Sequence, residues 1–270
     1  METIAIYGKG GIGKSVVATH LSAELARRGV KVLHVGCDPK ADSSCRLTGR
    51  YDVKTVLDEL STDTDDISVS QIVTKGRNGI DCIEAGGPEP GAGCGGRGVA
   101  RAIEVIGDLG LLRGNLYGAA VFDVLGDVVC GGFAAPLRRG FARKVFIVVS
   151  EESMALFAAN NIARAVVSNA FNGVKLAGLV ANVRSPDPVR RERIRAFAEA
   201  LGTTVVMTLE RSQLIADSEL ELCTAVESAP DSDVALAFRE LADHACSADP
   251  AHLTIPTPFG QEAFFDFMRE

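Results

Sequence analysis

The chain has 270 residues, of which 47% are apolar and 23% charged, with a net charge of −7. These are ordinary globular values, sufficient for one α/β domain with a large core, and the acidic balance argues against nucleic acid or an anionic membrane as main partner. No apolar run reaches the roughly eighteen residues that a bilayer-spanning helix needs. The start, METIAIYGKGG, enters a strand and a glycine loop with no basic or apolar leader, so the expected location is cytoplasmic.

In chain order, strand-like runs fall at 3–7, 31–36, 80–85, 118–124, 144–150, 176–182 and 203–209. Several are continuously apolar, as parallel strands covered on both faces are. Helical patterns lie between them at 13–29, 98–112, 153–171, 188–202 and 232–246. That rhythm predicts βαβ units: a single doubly wound, mostly parallel sheet with helices on both faces. No repeat or linker divides the chain, so 1–270 reads as one domain.

The first strand runs into YGKGGIGKS, which fits the phosphate-loop pattern with Gly8, Gly13, Lys14 and Ser15. The loop of Gly8, Lys9, Gly10, Gly11, Ile12 and Gly13 presents backbone amides and a helix N-terminus to the phosphates of ATP or ADP. Lys14 then reaches the β- and γ-phosphates, and the Ser15 hydroxyl holds Mg²⁺. Lys9 is a second cation inside the loop. It is most useful against the nucleotide of a facing subunit, which points to the signature-lysine type of phosphate-loop ATPase and to a homodimer.

Carboxylates at strand ends attend to metal and water in this fold class. GCDPKADSS ends the second strand with Asp38, Lys40 and Asp42. FDVLGD ends a later one with Asp123, positioned for Mg²⁺, and Asp127 follows.

Seven cysteines, an odd number without scaffold spacing, suit a reducing compartment. Cys82 and Cys223 read as small buried apolar residues. Cys94 and Cys130 do not, since glycines adjoin each, in GAGCGGRG and VVCGGF. Glycine leaves backbone amides open to stabilise thiolate and sulfide charge. A cubane cluster needs about four thiolates. Two suitable ones per chain suffice if the cluster sits on a dimer axis.

Taken together, IAIYGKGGIGKS, VGCDPKADS, AGGPEPGAGCGGRGV, FDVLGDVVCGGFAAP and ALFAANNI resemble the nitrogenase iron protein family over nearly the whole chain. The resemblance implies an ATP-dependent reductase. In it, Cys94 and Cys130 from two subunits hold one [4Fe–4S] cluster, and ATP hydrolysis gates one-electron transfer to a two-subunit nitrogenase-like catalytic partner. It implies ferredoxin or flavodoxin as donor. Asp38, Lys40 and Asp42 match its first switch and Asp123 to Asp127 its second, with Asp127 positioning the attacking water. Asn182 matches an adenine-contacting asparagine, and Arg97 the arginine that is ADP-ribosylated in some members. Of the adenine loop only Arg211, in LERS, is kept.

The chain departs from the family at Val16–His20, where threonines are usual, and at LERS. These departures point away from dinitrogen as the partner's substrate, and EESMALFAANNIARAV looks closer to the nitrogenase side of the family than to the chlorophyll side, which favours a methylthio-alkane reductase system over the tetrapyrrole reductases. Two rivals share the signature lysine. A partitioning ATPase would carry a basic patch or cationic tail and leaves Cys94 and Cys130 unexplained. A cluster-assembly carrier would carry a C-x-x-C pair, which is absent. His20 and His34 read as core or surface residues, the basic run 190–195 as a solvated helix face, and the phenylalanine-rich end as packing on the body or a sister subunit.

Overall fold

The computed structural model describes residues 1–61, 67–88, 93–113, 115–126, 131–185 and 187–269. Its centre is an eight-stranded sheet: β1 (Glu2–Gly8), β2 (Val32–Cys37), β3 (Thr74–Lys75), β4 (Asp81–Glu84), β5 (Ala119–Val124), β6 (Lys144–Val149), β7 (Lys175–Val183) and β8 (Val205–Glu210). They are ordered β3-β4-β2-β5-β1-β6-β7-β8. Every pairing is parallel except the β3–β4 edge.

The inner strands are apolar on both faces because both faces are covered. Ile4 and Ile6 join one core with Val17 and Leu21 of α1 (Lys14–Arg27), while Ala5 and Tyr7 join the other. That second core takes in α2 (Gly95–Asp108), α3 (Ser153–Ser168) and α4 (Pro188–Ala200) through Ile103, Ile162 and Phe197. Across the sheet, α6 (Asp233–Ser247) lies beside α1 and adds Phe238 and Leu241. The remaining helices of eight residues or more among the described residues are α5 (Gln213–Leu220) and α7 (Gln261–Arg269).

All seven strands read from sequence are present, and the two-residue β3 was too short to register. Helix α2 begins at Gly95, ahead of the expected 98, because its first turn is glycine-rich and carries no apolar signal. Helix α3 stops at Ser168, and Ala170–Asn172 continues as a 3₁₀ turn. Cys82 is buried as expected, whereas Cys223 is half-buried, a correction: it comes just after the exposed end of α5 at Leu220, past a turn in which Leu222 has φ +49°.

His20 and His34 are core residues, both 0% exposed. The helix face around 190–195 turns Ile194 inward and leaves Arg190 and Arg195 exposed. In α7, Phe264 is buried and meets Phe157, Phe197 and Phe259 edge-on, so the phenylalanine-rich end packs on its own chain. No described helix is long and apolar enough to cross a membrane.

Candidate functional site

The phosphate loop joins β1, a central strand, to α1. At Gly8 φ is +150° and a Cβ would lie 2.5 Å from the Val148 carbonyl oxygen; at Gly13 φ is +100° and a Cβ would lie 2.5 Å from Asn182 Nδ2. Only glycine meets both demands. Side chains from the end of β7 and just beyond hold the loop from outside: Asn182 donates to the Ile12 carbonyl at 2.8 Å, and Arg184 to that of Gly11 at 2.8 Å. Lys14 is buried and donates to the Lys9 carbonyl at 3.3 Å. Ser15 stands in the first turn of α1, its carbonyl accepting from Thr19 at 2.6 Å.

Lys9 lies 4.0 Å from Glu152, which also faces Arg184 at 3.6 Å. With the pair 37% and 46% exposed, an ion pair of this kind contributes about 1 kcal/mol or less.

Strand β5, beside β1, and β2, beyond β5, bring the carboxylates. In register, Asp123 of β5 pairs with Ile6 of β1 and with Gly36 of β2. It is 4% exposed and accepts from Ser43 Oγ at 2.6 Å. Asp38 follows β2 and accepts the Lys40 amide at 2.9 Å; burial holds its carboxyl above the usual range. Lys40 and Asp42 are exposed on a turn where Ala41 has φ +54°.

Two residues here escaped the sequence reading. Ser43 is one, though its place straight after Asp42, in the acidic segment that follows β2, was the available signal. Glu84 is the other: the Ser44 amide donates to it at 2.6 Å, and burial pushes its carboxyl up to about 8. A Cβ at Gly36 would stand 1.9 Å from Glu84 Oε2, so the glycine makes room for it.

Cys94 caps the N-terminus of α2, exposed, with the amides of Arg97 and Gly98 turned to its carbonyl at 3.0 and 3.5 Å. Arg97 is exposed one turn on. By contrast Cys37, Cys45 and Cys82 are buried, and burial raises each thiol above its ordinary value. The segment from Asp38 to Asp42 touches this loop directly: a Cβ at Gly87 would stand 2.3 Å from Pro39 Cβ, and one at Gly95 2.8 Å from Pro39 Cγ. The backbone at Gly132 lies against Gly96, where a Cβ would come within 1.9 Å of the Gly96 carbonyl oxygen. The next residue, Phe133, accepts at its carbonyl from the buried Tyr7 hydroxyl of β1 at 3.0 Å. Asp127 and Cys130 lie outside the described residues.

Beside the loop's helix end is a cavity of about 340 Å³. Val16, Leu209 and Ile215 give it apolar walls, and Asn182 and Arg211 polar ones. The departure at Val16 therefore lies on a cavity wall.

A glycine loop between a central parallel strand and a helix, with carboxylates on the neighbouring strand ends, defines a phosphate-loop NTPase. Solved structures share this fold. One is a septum site-determining protein MinD with Mg-ADP from Pyrococcus horikoshii, with TM-score 0.70, 24% identity, and 90% of this chain and 95% of that one covered. Another is a ParA family ATPase from Chlorobium tepidum, with TM-score 0.68, 16% identity, and 90% and 98% covered. Residues 2–270 match the family model for 4Fe-4S iron sulfur cluster binding proteins, NifH/frxC family, and the chain belongs to that family. It is 44% identical over 271 aligned residues to nitrogenase iron protein 2 of Methanothermobacter thermautotrophicus, covering 100% of this chain and 98% of the relative.

The family uses a [4Fe–4S] cluster bridging two subunits, together with Mg-ATP. Cys94 suits such a cluster. It is exposed between Gly93 and Gly95 at a helix N-terminus, where the helix dipole favours thiolate charge, while Cys37, Cys45 and Cys82 are buried in the cores or beneath the surface.

Proposed function

We propose that this chain is the ATP-hydrolysing reductase component of a nitrogenase-like enzyme, serving a two-subunit partner of the methylthio-alkane reductase type. In the homodimer, Cys94 and Cys130 of each subunit are the cluster ligands; the cluster, when bound, supplies one electron at a time. The amides of Gly10 to Ser15 and the Lys14 ammonium bind the nucleotide phosphates, and Lys9 leaves Glu152 for the nucleotide across the dimer axis. Ser15 and Asp123 serve Mg²⁺. Asp38 and Asp127 act on the attacking water, and Lys40 and Asp42 respond to the γ-phosphate. Asn182 and Arg211 border the adenine cavity, and Arg97 marks the docking face. Ferredoxin or flavodoxin is the donor.

The observation that carries this reading is the Pro39 contact. The segment from Asp38 to Asp42 is packed on the loop that presents Cys94, so a change at the phosphates bears on the cysteine loop without an intermediary. Val16 and LERS, which depart from the usual family pattern on the walls of the cavity, support a partner other than dinitrogenase. A second reading, reductase of nitrogenase itself, is favoured by the 44% identity to nitrogenase iron protein 2.

The test uses the anaerobically purified dimer with the two-subunit protein encoded beside it. ATP-dependent consumption of a methylthio-alkane is expected. Ammonia from dinitrogen under the same conditions would install the second reading, and a dimer without iron would remove both.

A further inference from the structure

A fully buried polar group beside the nucleotide site, unused by the reading above, is His34. It stands on β2 at 0% exposure, a position where an aliphatic side chain would pack without needing partners. Two hydroxyls flank it: Ser22 Oγ of α1 is 2.9 Å from Nδ1, and Ser43 Oγ is 2.9 Å from Nε2. All three side chains are 0–1% exposed. Ser43 in turn donates to Asp123 Oδ2 at 2.6 Å.

The direction of these bonds follows from counting protons. A serine hydroxyl carries one proton, and Ser43 gives it to Asp123. Ser43 therefore meets His34 as an acceptor, so the imidazole proton is on Nε2. Burial lowers His34 to about 4, so the ring is neutral and its other nitrogen accepts. Ser22 is then the donor to Nδ1. The row runs one way, from α1 to Asp123, and each bond sets the sense of the next.

We propose that His34 is a positioning residue: held as the Nε2–H tautomer by Ser22, it keeps Ser43 a donor to Asp123, so that the carboxylate has one orientation before Mg–nucleotide binds. The proposal rests on the reading of Asp123 as a partner of Mg²⁺. It gives α1 two duties. Its first turn carries Lys14 and Ser15, and two turns later Ser22 fixes the carboxylate that meets the same metal. Without the His34 donor, Ser43 can rotate its proton away from Asp123, and part of the ordering must then be done when the ligand binds.

Two amide substitutions separate position from mere packing. A glutamine amide nitrogen reaches about as far as Nε2, whereas an asparagine amide nitrogen stops near Nδ1. ADP affinity of the dimer is measured by calorimetry with and without Mg²⁺ for the parent, His34→Asn, His34→Gln and Asp123→Asn, with thermal unfolding confirming that each is folded. His34→Asn is expected to lose about tenfold of the Mg²⁺-dependent part of the affinity, and His34→Gln to stay within about threefold, a tenfold change being about 1.4 kcal/mol. Affinity without Mg²⁺ is expected to be unchanged in both. Long-range ¹H–¹⁵N spectra of the nucleotide-free parent should show the His34 proton on Nε2. A proton on Nδ1, equal losses in the two amide variants, or a loss that is the same without Mg²⁺ would overturn the proposal. If Asp123→Asn also keeps the full Mg²⁺ effect, the fault lies in the Asp123 reading. If Asp123→Asn loses it and His34→Asn does not, the fault lies in the relay.

Discussion

The phosphate loop and the loop before Cys94 are both rich in glycine, yet they are held by different means. The first is clamped: Asn182 and Arg184 bond its carbonyls, and Gly8 abuts the Val148 carbonyl of β6. The described part of the second is held by close packing, with Gly87 and Gly95 against the Pro39 ring and Gly132 against Gly96. Directional bonds preorganise a binding surface. A packed contact instead transmits displacement, because close-packed atoms cannot be pushed without moving their neighbours. In the proposed function the clamped loop receives the nucleotide and the packed loop follows it.

The strongest way to break this contrast is to delete each loop's chemical group in turn. Lys14→Ala should weaken ATP binding by about 100-fold, since charge-assisted bonds contribute about 1.5–3 kcal/mol each, and leave the iron content of the dimer intact. Cys94→Ser should remove the iron and leave ADP affinity within about twofold, a tenfold change being about 1.4 kcal/mol. Metal analysis and calorimetry on the same samples decide it. Loss of both properties in either variant would mean that the loops are one unit.

Next in size is the clamp itself. Gly13→Ala places a Cβ against Asn182 Nδ2 in left-handed backbone, which should destabilise the protein by about 2–3 kcal/mol. Gly10→Ala meets nothing within 4 Å and should cost less than about 1 kcal/mol. Chemical denaturation of the two variants measures the difference, and equal losses would deny that the clamp is local.

A pH profile sharpens the comparison beside the segment that follows β2, where Glu84 holds the Ser44 amide. Burial lowers His20 to about 3 and His34 to about 4, from 6.5. The unfolded chain takes up these protons first, so their stability is present above pH 6.5 and is lost as pH falls. Glu84 is raised from 4.5 to about 8; its contribution is present below 4.5 and is lost as pH rises through 8. Each group shifts stability by about 1.4 kcal/mol per pH unit inside its window. From these three groups stability peaks near pH 6.5, and Glu84→Gln should flatten the decline toward pH 8. An unaltered fall in melting temperature over that range would rule Glu84 out as its source.

The smallest effect belongs to the packed contact. Pro39→Gly should change stability by under about 1 kcal/mol but at least halve the shift in cluster reduction potential that the proposed function expects on nucleotide binding. A full shift in the variant would leave Pro39 without a coupling role.

Much of this was legible before any coordinates. The seven longer strands announced themselves as apolar runs, and the phosphate loop by spacing. Asp38, Asp123 and Cys94 stood out because a charge ending an apolar strand, or a thiol among glycines, breaks its local pattern. Ser43, Glu84, Glu152 and Arg184 break none. Serine after aspartate is common turn chemistry, and Glu84 looked like the polar end of a strand. Their importance comes from neighbours distant in sequence: Ser43 meets Asp123 across 80 positions, and Arg184 meets Gly11 across 173.

The sequence by itself determined the class of fold and the nucleotide loop, and marked Cys94 as a candidate, because each depends on residues adjacent in the chain and on periodicities that backbone geometry imposes. Only the tertiary structure decided that Pro39 lies between Gly87 and Gly95, and that His34 stands between Ser22 and Ser43. Those contacts arise where β2, β4 and β5 end side by side. Their order in the sheet is set by how both faces are covered, which no local stretch of sequence encodes.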